Sequence, residues 1–188
     1  KVSQVVTPLG VGSYFTQWGY DPQKVFEGDW GSSFKGEGID INILPAYHFS
    51  GRMLTRNQTL WGSFALITPN QKIYVSGDTG YGTHFKDIGE QFGPFDVAIL
   101  ECGQYDPNWA TIHMSPEQTV QAAEDIKAIN VLAAHNSKFK LAHHPWNDPY
   151  IRLTKASERK PYHLLTPMIG EQVNTNQSNQ TFSTWWKA

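Results

Sequence analysis

Tyr74-Val75-Ser76-Gly77-Asp78-Thr79-Gly80-Tyr81 reads as a β-branched strand that stops abruptly at a carboxylate set between glycines. Glycine permits close backbone approach and unusual φ, so Asp78 is expected on a tight turn at the carboxyl end of a strand. Open α/β sheets place their chemistry at that end. Taken alone, the octapeptide fits a loop-capping Asp in a strand–turn–helix connection better than a functional group. The weight of Asp78 therefore depends on what else the chain puts at its strand ends.

Working outward, Lys72 to Ser76 pairs naturally with Leu60 to Thr68 across Pro69-Asn70, a hairpin signal. Upstream, Ile39, Ile41 and Ile43 alternate in a strand over Ile39 to Leu44, and His48 follows in the loop. Short strands are read at Gln4 to Pro8 and Lys24 to Trp30, with a helix or turn between them over Gly10 to Trp18. Downstream, Thr83 to Phe92 has helical character, and the continuous apolar run Phe95 to Glu101 reads as a buried strand. Ser115-Pro116-Glu117-Gln118 is a helix start, with Ser as N-cap, Pro at the first position and Gln closing a capping box. Ala122, Ile126 and Ile129 are expected on one face of that helix. Asn130 to Ala134 returns to a strand with His135 at its end, and Leu164 to Val173 is a last strand weakened by Pro167. Residues 174–188 read as a loose tail, polar from Asn174 to Thr181, with Trp185-Trp186 able to dock back on the body.

The order of elements is α/β, a sheet packed against helices in a single domain over residues 1–188. A chain of 188 residues with 39% hydrophobic and 13% aromatic residues can bury a core. The net charge of −2 supplies no basic field, which argues against general nucleic-acid binding. The single cysteine, Cys102, rules out an internal disulfide framework and reads as a buried thiol. No apolar run approaches the roughly 20 residues of a membrane span, no signal segment is present in the chain, and the compartment is not readable. The sequons at Asn57, Asn176 and Asn179 are read as chance matches.

Seven histidines occur. His48, Asp78 and His135 share one grammar, each following an expected strand, and imidazole and carboxylate are the donors that Zn²⁺, iron or Mn²⁺ sites use. A lone histidine is more often a surface or satisfied core residue; three such donors at strand ends bring the two readings level. Glu101 could serve as a buried acid, though partnering a backbone amide or an arginine is the commoner role. His143 and His144 are weighed as substrate contacts against a loop role.

Six stretches carry a resemblance: Pro45 to Arg52, Thr59 to Phe64, Gly77 to Tyr81, Tyr105 to Trp109, Ile112 to Glu117 and His135 to Phe139. In this order they resemble the metallo-β-lactamase fold superfamily, most closely the branch of the N-acyl-phosphatidylethanolamine-hydrolysing phospholipase D and its bacterial relatives. The resemblance implies the carboxyl-terminal portion of an αββα sandwich. It implies two divalent metal ions, zinc expected with iron or manganese as alternatives, His48 and His135 each a ligand of one ion and Asp78 the bridge. It also implies Asp78 and His113 as catalytic residues, with His113 beside a small-molecule or phospholipid substrate; His143 stands as a substrate-binding candidate from its own position rather than from the resemblance. The implied activity is phosphodiester hydrolysis of phospholipase D type by a metal-bridging hydroxide. A lactonase-type hydrolase on the same scaffold is the alternative. The family's His-x-His-x-Asp-His motif is absent from this sequence. The chain is therefore expected to lack an amino-terminal part and, by itself, to be inactive; a metal-free binding remnant is the further alternative.

Overall fold

A computed structural model describes residues 2–52, 54–139, 141–175 and 180–187. The Asn176 and Asn179 sequons and part of the expected tail thus lie outside the described residues. Strands β1 (Val5–Pro8) and β2 (Val25–Gly28) form a parallel pair flanking helix α1 (Gly12–Gln17). A central sheet follows, built from β3 (Ser33–Gly36) and β4 (Ile39–Leu44), and continued after a two-residue ribbon, β5 (Gly51–Arg52) and β6 (Thr55–Arg56). β7 (Ser63–Ile67), β8 (Lys72–Val75), β9 (Phe95–Glu101), β10 (Ala128–Ala134) and β11 (His163–Leu165) complete it. Helices α2 (His84–Gln91), α3 (Pro116–Asp125) and α4 (Asp148–Ala156) connect the last four strands.

The sheet order is β11-β10-β9-β8-β7-β4-β3. β8 to β11 run parallel, whereas β7 is antiparallel to both β8 and β4. Two reversals restore direction, so β4 points the same way as β8, β9 and β10. Their carboxyl ends therefore share one edge of the sheet. The four parallel strands step in one direction, and right-handed crossovers then put α2, α3 and α4 on the same face.

That face holds the core. Registered pairs set Ala65 beside Tyr74, Tyr74 beside Ala98, and Ala98 beside Val131, all buried beneath Phe85, Ile88, Val120, Ala123 and Leu153 of the helices. A single fully buried Phe or Leu in such a cluster contributes on the order of 1.5–3 kcal/mol. The opposite face, with Ile41, Phe64, Leu66, Ile73, Val75, Ile99 and Leu132, is only half-buried.

Several expectations shift in register. Ile129 lies on β10, 43% exposed, because Lys127 takes a left-handed conformation (φ 58°) that ends the α3 segment early. The last strand stops at Leu165, two residues before Pro167, which has no N–H for a ladder. Strand β3 and helix α4 have no counterpart in the sequence reading. The capping box at Ser115 forms in full, and Cys102 is buried, its thiol pushed up to about 12 by desolvation. At the carboxyl end, Trp186 is buried with its ring 5.0 Å from Tyr150, and its carbonyl accepts from Asn147 Nδ2 at 3.0 Å.

Candidate metal and active site

The shared strand edge gathers His48 after β4, Asp78 after β8, Glu101 at the end of β9 and His135 after β10. Backbone chemistry stitches these loops together. The Thr79 hydroxyl accepts from Tyr47 N–H at 2.8 Å and donates to Gly80 O at 2.9 Å, while Gly80 N–H donates to Tyr47 O at 2.8 Å. Gly77 adopts φ 60°, the left-handed turn expected before Asp78. Gly80 is held to glycine for a different reason: a Cβ there would stand 2.1 Å from Thr111 O.

The four histidine and carboxylate candidates form a chain of contacts. His135 Nε2 lies 3.7 Å from Asp78 Oδ2. The His113 ring stacks on His135 with centroids 5.4 Å apart and meets His48 edge-on at 5.3 Å. His48 presents its Nδ1 to Phe49 O at 2.8 Å, so Nδ1 carries the proton and Nε2 the lone pair. That Nε2 is buried and has no hydrogen-bond partner. An imidazole with one nitrogen fixed on a carbonyl and the other left open is the arrangement a metal ligand needs. Among the described residues, no three His, Cys, Asp or Glu side chains close around one point.

His135 and Ser137 both take left-handed backbone, φ 62° and 68°. Non-glycine residues held there are costly by about 1 kcal/mol or more and cluster at functional sites. Beneath His135 runs Gly103, where a Cβ would stand 2.0 Å from His135 O.

Glu101 is 1% exposed, and sequence reasoning favoured a backbone or arginine partner for it. Its Oε2 accepts from Met114 N–H at 2.8 Å, but its Oε1 faces His113 Nδ1 at 3.3 Å. The signal was a carboxylate closing the apolar run Val97 to Leu100. His113 lines a cavity of about 440 Å³ together with Tyr105, Asp106, His143, His144 and Arg152. His143 is on that wall, largely exposed, with Nδ1 3.1 Å from Asp106 Oδ2. The Asn108 amide, then His143, hold the Asp106 carboxyl below the ordinary range. The Tyr105 hydroxyl donates to Asp148, and its ring lies under the Arg152 guanidinium at 4.8 Å. Arg152 also pairs with Glu117, so the cavity's cation is already neutralised. Arg152 and Asp148 escape sequence reasoning because the helix that carries them, α4, does.

The chain belongs to the β-lactamase superfamily domain family, whose model matches residues 1–136. Within the metallo-β-lactamase fold it stands near the branch of the N-acyl-phosphatidylethanolamine-hydrolysing phospholipases D. It is 38% identical over 185 residues to an uncharacterized protein of Mycobacterium tuberculosis, covering 97% of this chain and 50% of that protein. It is 35% identical over 139 residues to N-acyl-phosphatidylethanolamine-hydrolyzing phospholipase D 1 of Caenorhabditis elegans, covering 68% of this chain and 39% of that protein. Among solved structures it is similar to Igni18, a metallo hydrolase of Ignicoccus hospitalis, with a TM-score of 0.67, 20% identity, and coverage of 87% and 64%. The chain thus spans about half the length of the mycobacterial relative it matches. No described helix is long and apolar enough to cross a membrane.

Proposed function

We propose that this chain carries one half of the metal-binding and substrate-binding surface of a phosphodiesterase of phospholipase D type. The observation that carries the reading is the buried, unpartnered Nε2 of His48, with its tautomer fixed by Phe49 O. It is joined through the His113 ring to His135, which lies against Asp78. Similarity to the nematode phospholipase supports the reaction class. His48 would hold one ion, His135 the other, and Asp78 both; zinc fits these nitrogen and oxygen donors, with iron or manganese as alternatives. When bound, such ions lower the pKa of water and offset the charge that builds on phosphate oxygens. His113 serves the departing oxygen with a proton, and the cavity flanked by Tyr105, His143 and Arg152 receives the neighbouring part of the substrate.

Elemental analysis after zinc, iron or manganese loading, followed by a panel of N-acyl-phosphatidylethanolamine vesicles, a simple phosphodiester and a lactone, tests the proposal. In a protein that supplies both halves of the site, bound metal with phosphodiester turnover is the expected result; the chain by itself is expected to be inactive. Turnover of the lactone alone overturns the reaction class, and a protein that binds no metal under any loading overturns the metal assignment.

A further inference from the structure

A carboxylate with 1% exposure is expensive to keep unless its oxygens are occupied. Those of Glu101 are, and its main chain is pinned as well. Thr119 Oγ1 donates to Glu101 O at 3.0 Å, and Glu101 N–H donates to Ser76 Oγ at 2.9 Å. Oε2 takes Met114 N–H, and Oε1 receives only a long contact from Gly103 N–H (3.4 Å) besides the His113 ring. Among the described residues its ion-pair partner is His113; no lysine or arginine pairs with it. Both Glu101 oxygens already accept backbone N–H groups, from Met114 and Gly103, so the proton in the Glu101–His113 contact is assigned to Nδ1. Nε2, across the ring, is then left for the site that His113 shares with His48, His135 and the cavity.

We propose that Glu101 is a positioning residue that fixes His113 as the Nδ1–H tautomer, so that the proton this histidine exchanges is always the one on Nε2. This rests on the reading of His113 as the group serving the departing oxygen. In the hydrolytic step a water oxygen bonds to phosphorus, its proton passing to solvent, as the bond from phosphorus to the alcohol oxygen breaks. The Nε2 proton of the charged ring passes to that alcohol oxygen, and the ring relaxes to neutral Nδ1–H, still held by Glu101. A proton from solvent recharges the His113 ring for the next turnover. Nothing is oxidised or reduced.

Glu101→Gln separates this role from simple packing. Met114 N–H at 2.8 Å requires an acceptor, so the new carboxamide must turn its oxygen there and its NH₂ toward His113 Nδ1. Nδ1 becomes an acceptor, and the proton moves to Nε2. Long-range ¹H–¹⁵N correlation of the His113 ring, recorded about two pH units above the ordinary imidazole value, reads the tautomer directly. The expected result is Nδ1–H in the parent chain and Nε2–H in Glu101→Gln. On the protein, kcat for an alkyl phosphodiester should then fall on the order of 100-fold with KM unchanged, and much less for a 4-nitrophenyl ester that leaves without a proton. An Nε2–H ring in the parent, or no change in Glu101→Gln, overturns the proposal, as does equal loss on both esters. The parent measurement alone decides if the variant does not fold. A tautomer that switches as expected in a metal-loaded protein with both halves of the site that hydrolyses no phosphodiester refutes the proposed function and leaves the positioning assignment intact.

Discussion

Gly103→Ala tests whether the site depends on backbone packing beneath His135 as much as on its side chains. The added Cβ would lie 2.0 Å from His135 O, 2.7 Å from its carbonyl carbon and 2.8 Å from Asn136 Cβ. Two of these atoms are backbone and cannot swing aside, so the β9 and β10 ends must part by roughly 1 Å to restore ordinary contact. That displacement stretches the Cys102 N–H to Ala134 O bond, now 3.0 Å, and the Asn136 Nδ2 bond to Cys102 O, now 3.2 Å. Overpacking costs about 1–3 kcal/mol, and weakening one or two buried hydrogen bonds adds about 1 kcal/mol. For a chain of this size the sum lowers Tm by roughly 5–15 °C in a thermal melt. Because the same movement carries His135 away from Asp78, zinc affinity should fall at least about tenfold. Gly19→Ala is the control: that glycine has φ 87° and no atom within 4 Å of the added methyl, so only about 1 kcal/mol of backbone strain is expected. A Gly103→Ala melt within about 2 °C of the parent, with unchanged zinc affinity, would refute the reasoning.

Asp78→Ala in the metal-loaded protein with both halves of the site should abolish occupancy by two ions rather than only slow turnover; retention of both ions with near-normal rates counts against the bridge. Ser115→Ala removes the hydroxyl that accepts Gln118 N–H at 3.3 Å and should cost about 1 kcal/mol in denaturant unfolding, with m unchanged. Burial holds the His84 imidazole down to about 4, against a weaker opposing pull from Asp87. Since the unfolded chain takes up that proton near 6.5, stability is full above that pH and is lost as pH falls toward 4. His84→Phe should flatten that part of a Tm–pH profile, and an unchanged slope would place the acid sensitivity elsewhere.

The sequence made much of this molecule legible where period and punctuation agreed. β4, β8, β9 and β10 announce themselves through β-branched runs, and Ser115 to Gln118 through paired capping chemistry. Asp78 was readable because glycine at position 77 signals a left-handed turn. What escaped notice depends on contacts across the sheet. Gly103 looks like any loop glycine until His135 is laid over it, and Glu101 meets His113 only once β9 and the α3 approach are folded together. Helix α4 begins Asp148-Pro149 after Pro145 and Asn147, residues that read as a turn, and its nine residues are too few to show a clear period. Ile129 was misplaced because a left-handed Lys127 has no sequence signature of its own.

The edge where β4, β8, β9 and β10 end together also has a consequence for how the molecule folds. His48 and His135 come from distant points in the chain, and the strands that carry them touch only through β7, β8 and β9. No local hairpin or single crossover can bring these donors together, so loop-closure entropy must be met across most of the sheet before any of them become neighbours. A metal that binds across His48, Asp78 and His135 would therefore bind late, as a latch on a completed sheet rather than a seed for it. Its release should register in unfolding rates far more than in the rate of folding.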